Sequence, residues 1–316
     1  MTELVAIDVG GTHLRFAIAN IDGDAISISE PITLETGDFP DLEQAWHAYA
    51  DRGGQPLPNR AAIAIAGPVN SDVVPMTNSP WVLKIPEFKS TLGLTQVTVL
   101  NDFGAVAHAV ARAPADHLVH VCGPDRPLPE RGTVSVIGPG TGLGVAHFHR
   151  HADGYQVQAT EGGHVGFAPQ DAVDDAILAH LRAEHGRVVT ERVNAGPGIV
   201  PIYRALGGAE QWDDRTLWQR GLAGEDELAS LAVDRFCASL GATAGDYALA
   251  HGASALVLAG GLGLKLRGRL AGSQFAEKFC AKPHYEAMMR NIPVKLIVHP
   301  QPGLFGAAAA FQREHT

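Results

Sequence analysis

Twice in this chain an apolar run ends in a glycine turn and a second apolar run follows at once. The first copy is Leu4-Val5-Ala6-Ile7, then Asp8-Val9-Gly10-Gly11-Thr12, then Leu14 to Ala19. The second is Thr133-Val134-Ser135-Val136-Ile137, then Gly138-Pro139-Gly140-Thr141-Gly142, then Leu143 to Phe148. Each copy reads as a β-hairpin. Glycine allows positive φ and leaves the backbone bare, so a phosphate can approach its N–H groups. Repetition of the unit predicts two related lobes around one nucleotide. A third glycine pair, Gly260-Gly261, ends the apolar run from Ala255 to Ala259. Ligands of α/β sheets bind beyond strand ends. Two of these turns are therefore expected to clamp phosphates from opposite lobes, and the third to hold the adenosine. Asp8 adds a carboxylate where a hydrated Mg²⁺ can sit, and Thr12 adds a hydroxyl. Taken singly, any one of these turns is equally an ordinary tight hairpin.

Between the repeats the chain alternates strands and helices. Ala25 to Ser29 alternates like a third strand, and a helix is expected from about Pro40 to Asp51, stopped by Gly53-Gly54. Ala61 to Ala66 is a buried strand ending at Gly67-Pro68, and Val69 to Trp81 is polar and turn-rich. A short helix covers Pro86 to Leu92, and Gln96 to Leu100 is a strand leading through Asn101-Asp102-Phe103 into a helix to about Arg112. This order implies a mixed sheet with helices on its faces. Pro114 to Gly132, rich in Pro and Gly, reads as irregular and as a domain boundary. Further on, Asp171 to Glu184 places Val173, Ile177, Leu178 and Leu181 on one helical face. A long helix runs from about Glu225 to His251, with an unusually small middle, Gly241 to Gly245. Small residues there suit close approach of a sheet or ligand, or simple packing. Pro293 to His299 is the last strand, and Gly303 to Gln312 a closing helix that packs back on the N-terminal lobe. The expected division is a small α/β domain of residues 1–112 plus 300–316 and a large α/β domain of residues 113–299.

Several function classes are disfavoured. Net charge is −10, with no cluster of Lys or Arg, which argues against nucleic acid or an anionic membrane as partner. Cys122, Cys237 and Cys280 are far apart, without zinc spacing, so reduced thiols and a cytoplasmic location are expected. No signal pattern is seen, and no apolar run approaches the ~20 residues that span a bilayer. No Gly-Lys dipeptide is present for a Walker loop, and Leu143 stands where the third glycine of a dinucleotide fingerprint would be.

Five motifs then coincide in order: Asp8 to Thr12, Leu100-Asn101-Asp102-Phe103, Gly138 to Gly144, Glu161-Gly162-Gly163-His164 and Leu258-Ala259-Gly260-Gly261. With Ala195-Gly196-Pro197-Gly198 after Glu191, and His299 to Leu304, this set resembles the bacterial ATP-dependent glucokinase family over nearly the whole chain. The resemblance implies a two-lobed actin-like ATPase (ribonuclease H-like) fold, with a mixed sheet in each lobe and a central cleft. It also implies transfer of the ATP γ-phosphate to the 6-hydroxyl of D-glucose, Mg²⁺ as cofactor, and a homodimer.

The resemblance gives residues their roles, and chemistry makes those roles reasonable. A sugar hydroxyl is a poor nucleophile, so a carboxylate must accept its proton. Asp102, just past a strand, is the expected general base; as an alternative it would cap the helix that follows, though Ala105 leaves a capping box incomplete. Asn101, Glu161, His164 and Glu191 carry over as sugar contacts, joined by Asp102. Glu191 after Thr190 also fits an acidic first turn of a helix. For the nucleotide the family points to Asp8, Gly10, Gly11 and Thr12, then Gly140 and Thr141, then Gly260 and Gly261. Asp8 is expected to reach Mg²⁺ through water. Pro139 in the second turn, Thr160 before Glu161 and Gly166 after His164 depart from the family pattern. The rival readings are a kinase of fructose, mannose or an amino sugar on the same fold, a sugar-sensing regulator, and an actin-fold ATPase without a sugar pocket.

Overall fold

The computed structural model describes residues 1–53, 56–77 and 79–315. It divides into two compact units, residues 1–113 with 299–316 and residues 114–298.

The first unit begins with strands β1 (Thr2–Val9), β2 (His13–Asp22), β3 (Ala25–Ile28) and β4 (Ile32–Glu35), followed by helix α1 (Leu42–Gly53). Then come β5 (Arg60–Ile65), β6 (Val73–Pro75), β7 (Val82–Lys84), α2 (Ile85–Thr91), β8 (Gln96–Asn101) and α3 (Asp102–Arg112). The main sheet has the order β3-β2-β1-β5-β8, with β4 also on β2. β1 and β2 are antiparallel, whereas β5 runs parallel to both β1 and β8. Burial follows from composition. Val5, Ile7 and Val9 face a core with Phe16, Trp46 and Phe88, while Leu4, Ala6, Ala62 and Ala64 face the C-terminal helix Pro302–His315. Alanines on that second face let the helix lie close to the strands. Gly306 of this helix sits against the Ala105 backbone of α3, where a Cβ would fall 1.8 Å from a carbonyl oxygen.

Two expectations for this unit need adjustment. Helix α1 starts at Leu42 and not at Pro40, because Asp41 caps it: its Oδ1 accepts from the Gln44 N–H at 2.8 Å. The expected stop at Gly53-Gly54 falls partly outside the described residues, as do Asn78 of the turn-rich segment and the final residue, 316. That segment also carries β6, paired with β7.

The second unit contains β9 (Leu118–Cys122), β10 (Gly132–Pro139), β11 (Leu143–His151), β12 (Gly154–Thr160), α4 (Ala172–His185), α5 (Glu191–Asn194), α6 (Ile199–Ala205) and α7 (Asp214–Ala223). They are followed by α8 (Glu227–Ala250), β13 (Ala253–Leu258), α9 (Gly260–Lys265), α10 (Arg267–Leu270), α11 (Phe275–Cys280), α12 (Glu286–Met289) and β14 (Val294–Ile297). The sheet order is β12-β11-β10-β13-β14-β9. The stretch from Pro114 to Gly132 is thus not irregular throughout, since β9 pairs antiparallel with β14. The small middle of α8 serves packing: Gly241 and Gly245 lie against the backbone of Phe275 and Phe279 in α11. The apolar face of α4 is present and also buries Asp174, which Arg235 of α8 pairs at 2.5 Å. No helix among the described residues is long and apolar enough to cross a membrane.

Candidate active site

In the first unit the parallel register sets Val9 beside Ile65 and Ile65 beside Asn101. The Asp8–Thr12 turn and the Asn101-Asp102 pair therefore leave the same edge of one sheet, two strands apart, which is about 10 Å. Asn101 caps α3: its Oδ1 accepts from Phe103 N at 2.9 Å and Gly104 N at 3.0 Å. Its Nδ2 donates to the Gly67 carbonyl at 3.1 Å. The capping role weighed for Asp102 thus belongs to Asn101, whose side-chain oxygen is already engaged. Asp102 is the first helical residue, and its Oδ1 lies 2.8 Å from Phe103 N, the amide Asn101 also holds. One carboxylate oxygen is oriented from behind as a consequence.

The hairpin closes on itself at Gly10, whose N–H donates to His13 O at 3.0 Å. Among the described residues no bond uses the amides of Gly11 or Thr12, and both residues are exposed. Asp8 sits below the turn. A Cβ at Gly303, at the start of the C-terminal helix, would lie 2.6 Å from Asp8 Oδ2. A carboxylate at a helix N-terminus is electrostatically favoured. Burial pushes the Asp8 carboxyl above its usual range, and the Arg15 guanidinium at 3.5 Å works against that shift. A cation near Asp8 acts in the same direction as Arg15. Among the described residues no three His, Cys, Asp or Glu side chains group as a metal cage. One hard carboxylate without a cage fits Mg²⁺, which keeps its waters and shares ligands with phosphates.

The second unit gathers the other candidates. Ile137 of β10 pairs with Leu258 of β13, so the turn from Gly138 to Gly142 and the pair Gly260-Gly261 leave adjacent strands together. Gly260 has φ +81°, and a Cβ there would stand 2.6 Å from the Pro139 carbonyl oxygen, so only glycine fits. Pro139 ends β10 in register with Leu143 and has no N–H to donate. Gly140 N–H is spent on Gly142 O at 2.8 Å, while Thr141 remains exposed.

Val145 pairs with Thr160, which brings Glu161 alongside the same turn. Thr160 has a structural use: its hydroxyl donates to Val145 O at 2.8 Å. Residues Gly162–His164 form one 3₁₀ turn, leaving Glu161 and His164 exposed on either side of two buried glycines. Tyr247 of α8 donates its hydroxyl to the Gly162 carbonyl from below. Glu191 opens α5, but its carboxylate serves another segment. Its Oε2 accepts from Leu143 N at 2.8 Å. A Cβ at Gly142 would be 2.5 Å from that oxygen, and one at Gly163 would be 3.4 Å away. Glu191 thus joins the glycine turn to the Glu161–His164 turn. Sequence reasoning did not single out Arg15, Gly67 or Tyr247. Arg15 faces Asp8 across the β1–β2 hairpin, whereas Gly67 and Tyr247 act through contacts far along the chain, and Tyr247 lies inside a helix with no local signal.

Comparison with known proteins places the chain in a family. The family described as Glucokinase matches residues 4–314. The glucokinase of Zymomonas mobilis is 49% identical over 320 residues, covering 99% of each chain. The chain belongs to the glucokinase family. A glucokinase of Saccharophagus degradans is 34% identical over 98% of each chain. The crystal structure of a glucokinase from an Antarctic psychrotroph superposes with a TM-score of 0.87, at 33% identity and 99% coverage of both chains. A glucokinase from Streptomyces griseus, solved with glucose and AMPPNP, has a TM-score of 0.66 at 18% identity, covering 99% of this chain and 100% of that chain; this is a likeness of fold alone. The glucokinase fold seen here is the α/β actin-like ATPase fold, with a mixed sheet in each unit.

Proposed function

We propose that this glucokinase transfers the γ-phosphoryl group of ATP to the 6-hydroxyl of D-glucose, giving glucose 6-phosphate and ADP. The observation that carries the proposal is the end-to-end match to the Zymomonas mobilis glucokinase. In the reaction, Asp102 accepts the proton of the 6-hydroxyl as that oxygen bonds to the γ-phosphorus. The bond from phosphorus to the bridging oxygen breaks, and its electron pair leaves with ADP. Glu161, His164 and Glu191 hold the sugar hydroxyls. Asn101 contributes the amide hydrogen not given to Gly67 and fixes the direction of Asp102. The backbone of Gly11, Thr12 and Thr141 receives the phosphates, with Gly10 and Gly140 shaping their turns, and Gly260-Gly261 receives the adenosine. Asp8 holds Mg²⁺ through water; when bound with ATP, the ion neutralises phosphate charge. Closure around both substrates excludes water, so that phosphate passes to sugar. The protein acts as a cytoplasmic homodimer, and light scattering after gel filtration tests that state directly.

A coupled ADP-release assay with Mg-ATP and glucose, fructose, mannose, N-acetylglucosamine or no sugar tests the reading. Strong release with glucose alone is expected. Preference for another hexose would move the specificity while keeping the mechanism. Release that needs no sugar would contradict a kinase.

A further inference from the structure

A cavity of about 190 Å³ lies in the second unit, between the segment that follows His164 and helix α8. Its walls include Phe167, Thr190, Ser239, Thr243 and Tyr247. Ser239 is 4% exposed, and its hydroxyl has no partner among the described residues. A buried hydroxyl left unpaired is destabilising, so such a group signals a missing occupant. Thr190 and Thr243 lie nearby, with their hydroxyl oxygens 3.3 Å apart. The Asn194 amide donates to both, at 3.2 and 2.9 Å. Two hydroxyls sharing one contact use one proton between them, and the second proton is left to donate elsewhere.

Charge on the walls is already matched. Asp174 is paired by Arg235 at 2.5 Å, and Asp246 by Lys282 at 2.6 Å. A cation would find its carboxylates taken, and an anion its ammonium and guanidinium taken. An apolar ligand would leave Ser239 unpaired. The lining fits a neutral molecule that carries acceptor oxygens on a carbon chain, with Phe167 as an apolar wall. We propose that this cavity is a binding site for a small neutral polyol, with one polyol oxygen accepting from the Ser239 hydroxyl. The site is separate from the sugar contacts assigned above, and its test does not depend on them.

The experiment is a titration with xylitol at millimolar concentration, read by saturation-transfer NMR, with and without saturating glucose. Saturable binding that glucose leaves unchanged is expected. Ser239→Ala removes the hydroxyl without adding bulk to the cavity, and should weaken binding roughly tenfold, the worth of about one hydrogen bond. Ala242→Leu fills the cavity from the same helix and should abolish binding. Three outcomes would overturn the proposal: no saturable binding, in which case the space holds water only; displacement by glucose; or affinity equal to wild type in both variants.

Discussion

At the scale of single residues, the candidate site is made of side chains that answer to more than one neighbour. Glu191 accepts from the Leu143 amide, and glycine at positions 142 and 163 makes room for its carboxylate. Glu161 and His164 stand exposed, on a turn whose central carbonyl is held by Tyr247. We expect Glu161→Gln to raise the KM for glucose well beyond any change in the KM for ATP, because one charge-assisted acceptor is lost. Equal losses for both substrates would make Glu161 a structural residue. Tyr247→Phe is expected to raise the glucose KM roughly tenfold, because the Gly162 carbonyl loses its buried donor and the turn loosens. The paired control is the melting temperature: a drop in Tm with an unchanged KM would refute a positioning role. Asp102, Glu161 and Glu191 were reached through motifs and the family resemblance those motifs carry. What motifs could not show is that the Asn101 oxygen is spent on capping α3, since this depends on how β8 meets the helix.

At the scale of elements, the glycine turns were legible because each ends an apolar strand, and at Gly260 only a bare backbone permits the geometry. Strand β9 was not legible. Its residues Leu118 to Cys122 are flanked by Pro and Gly, and among the described residues it pairs only with β14, far along the chain. The start of α5 at Glu191 was legible as an acidic first turn, but α6 and α7 were missed, being short and placed by tertiary packing more than by periodicity. The contact between α3 and the C-terminal helix is the tightest approach near Asp102. Gly306→Ala would drive a methyl into the Ala105 backbone, which cannot yield. A loss of roughly 2–3 kcal/mol is expected, read as a lower midpoint in urea unfolding, together with reduced turnover. A wild-type midpoint in this variant would mean that the two helices separate freely.

At the scale of the whole molecule, acid stability follows from groups whose proton affinity the fold changes. Burial, and next the neighbouring His147, lowers His251 to about 4. Burial, aided by Arg313, does the same for His108. Unfolding returns both to near 6.5, so between that value and about 4 the unfolded chain binds more protons. Their contribution is complete above the unfolded value and is lost as pH falls to about 4. Asp171, held at about 2 chiefly by its hydrogen bond to Arg235, contributes above the ordinary carboxylate range and loses that contribution as pH falls further. Melting temperature should therefore decline in acid, and His251→Gln should flatten the first limb; a Tm that rises between neutral pH and about 4 would contradict this sign. Turnover is a property of the whole molecule, and it depends on Asp102. The direct test is Asp102→Asn, with glucose binding and kcat measured on the same preparation. Glucose affinity within about threefold of wild type and a kcat lower by roughly 10²–10⁴ are expected. A kcat close to wild type would show that Asp102 is not the general base.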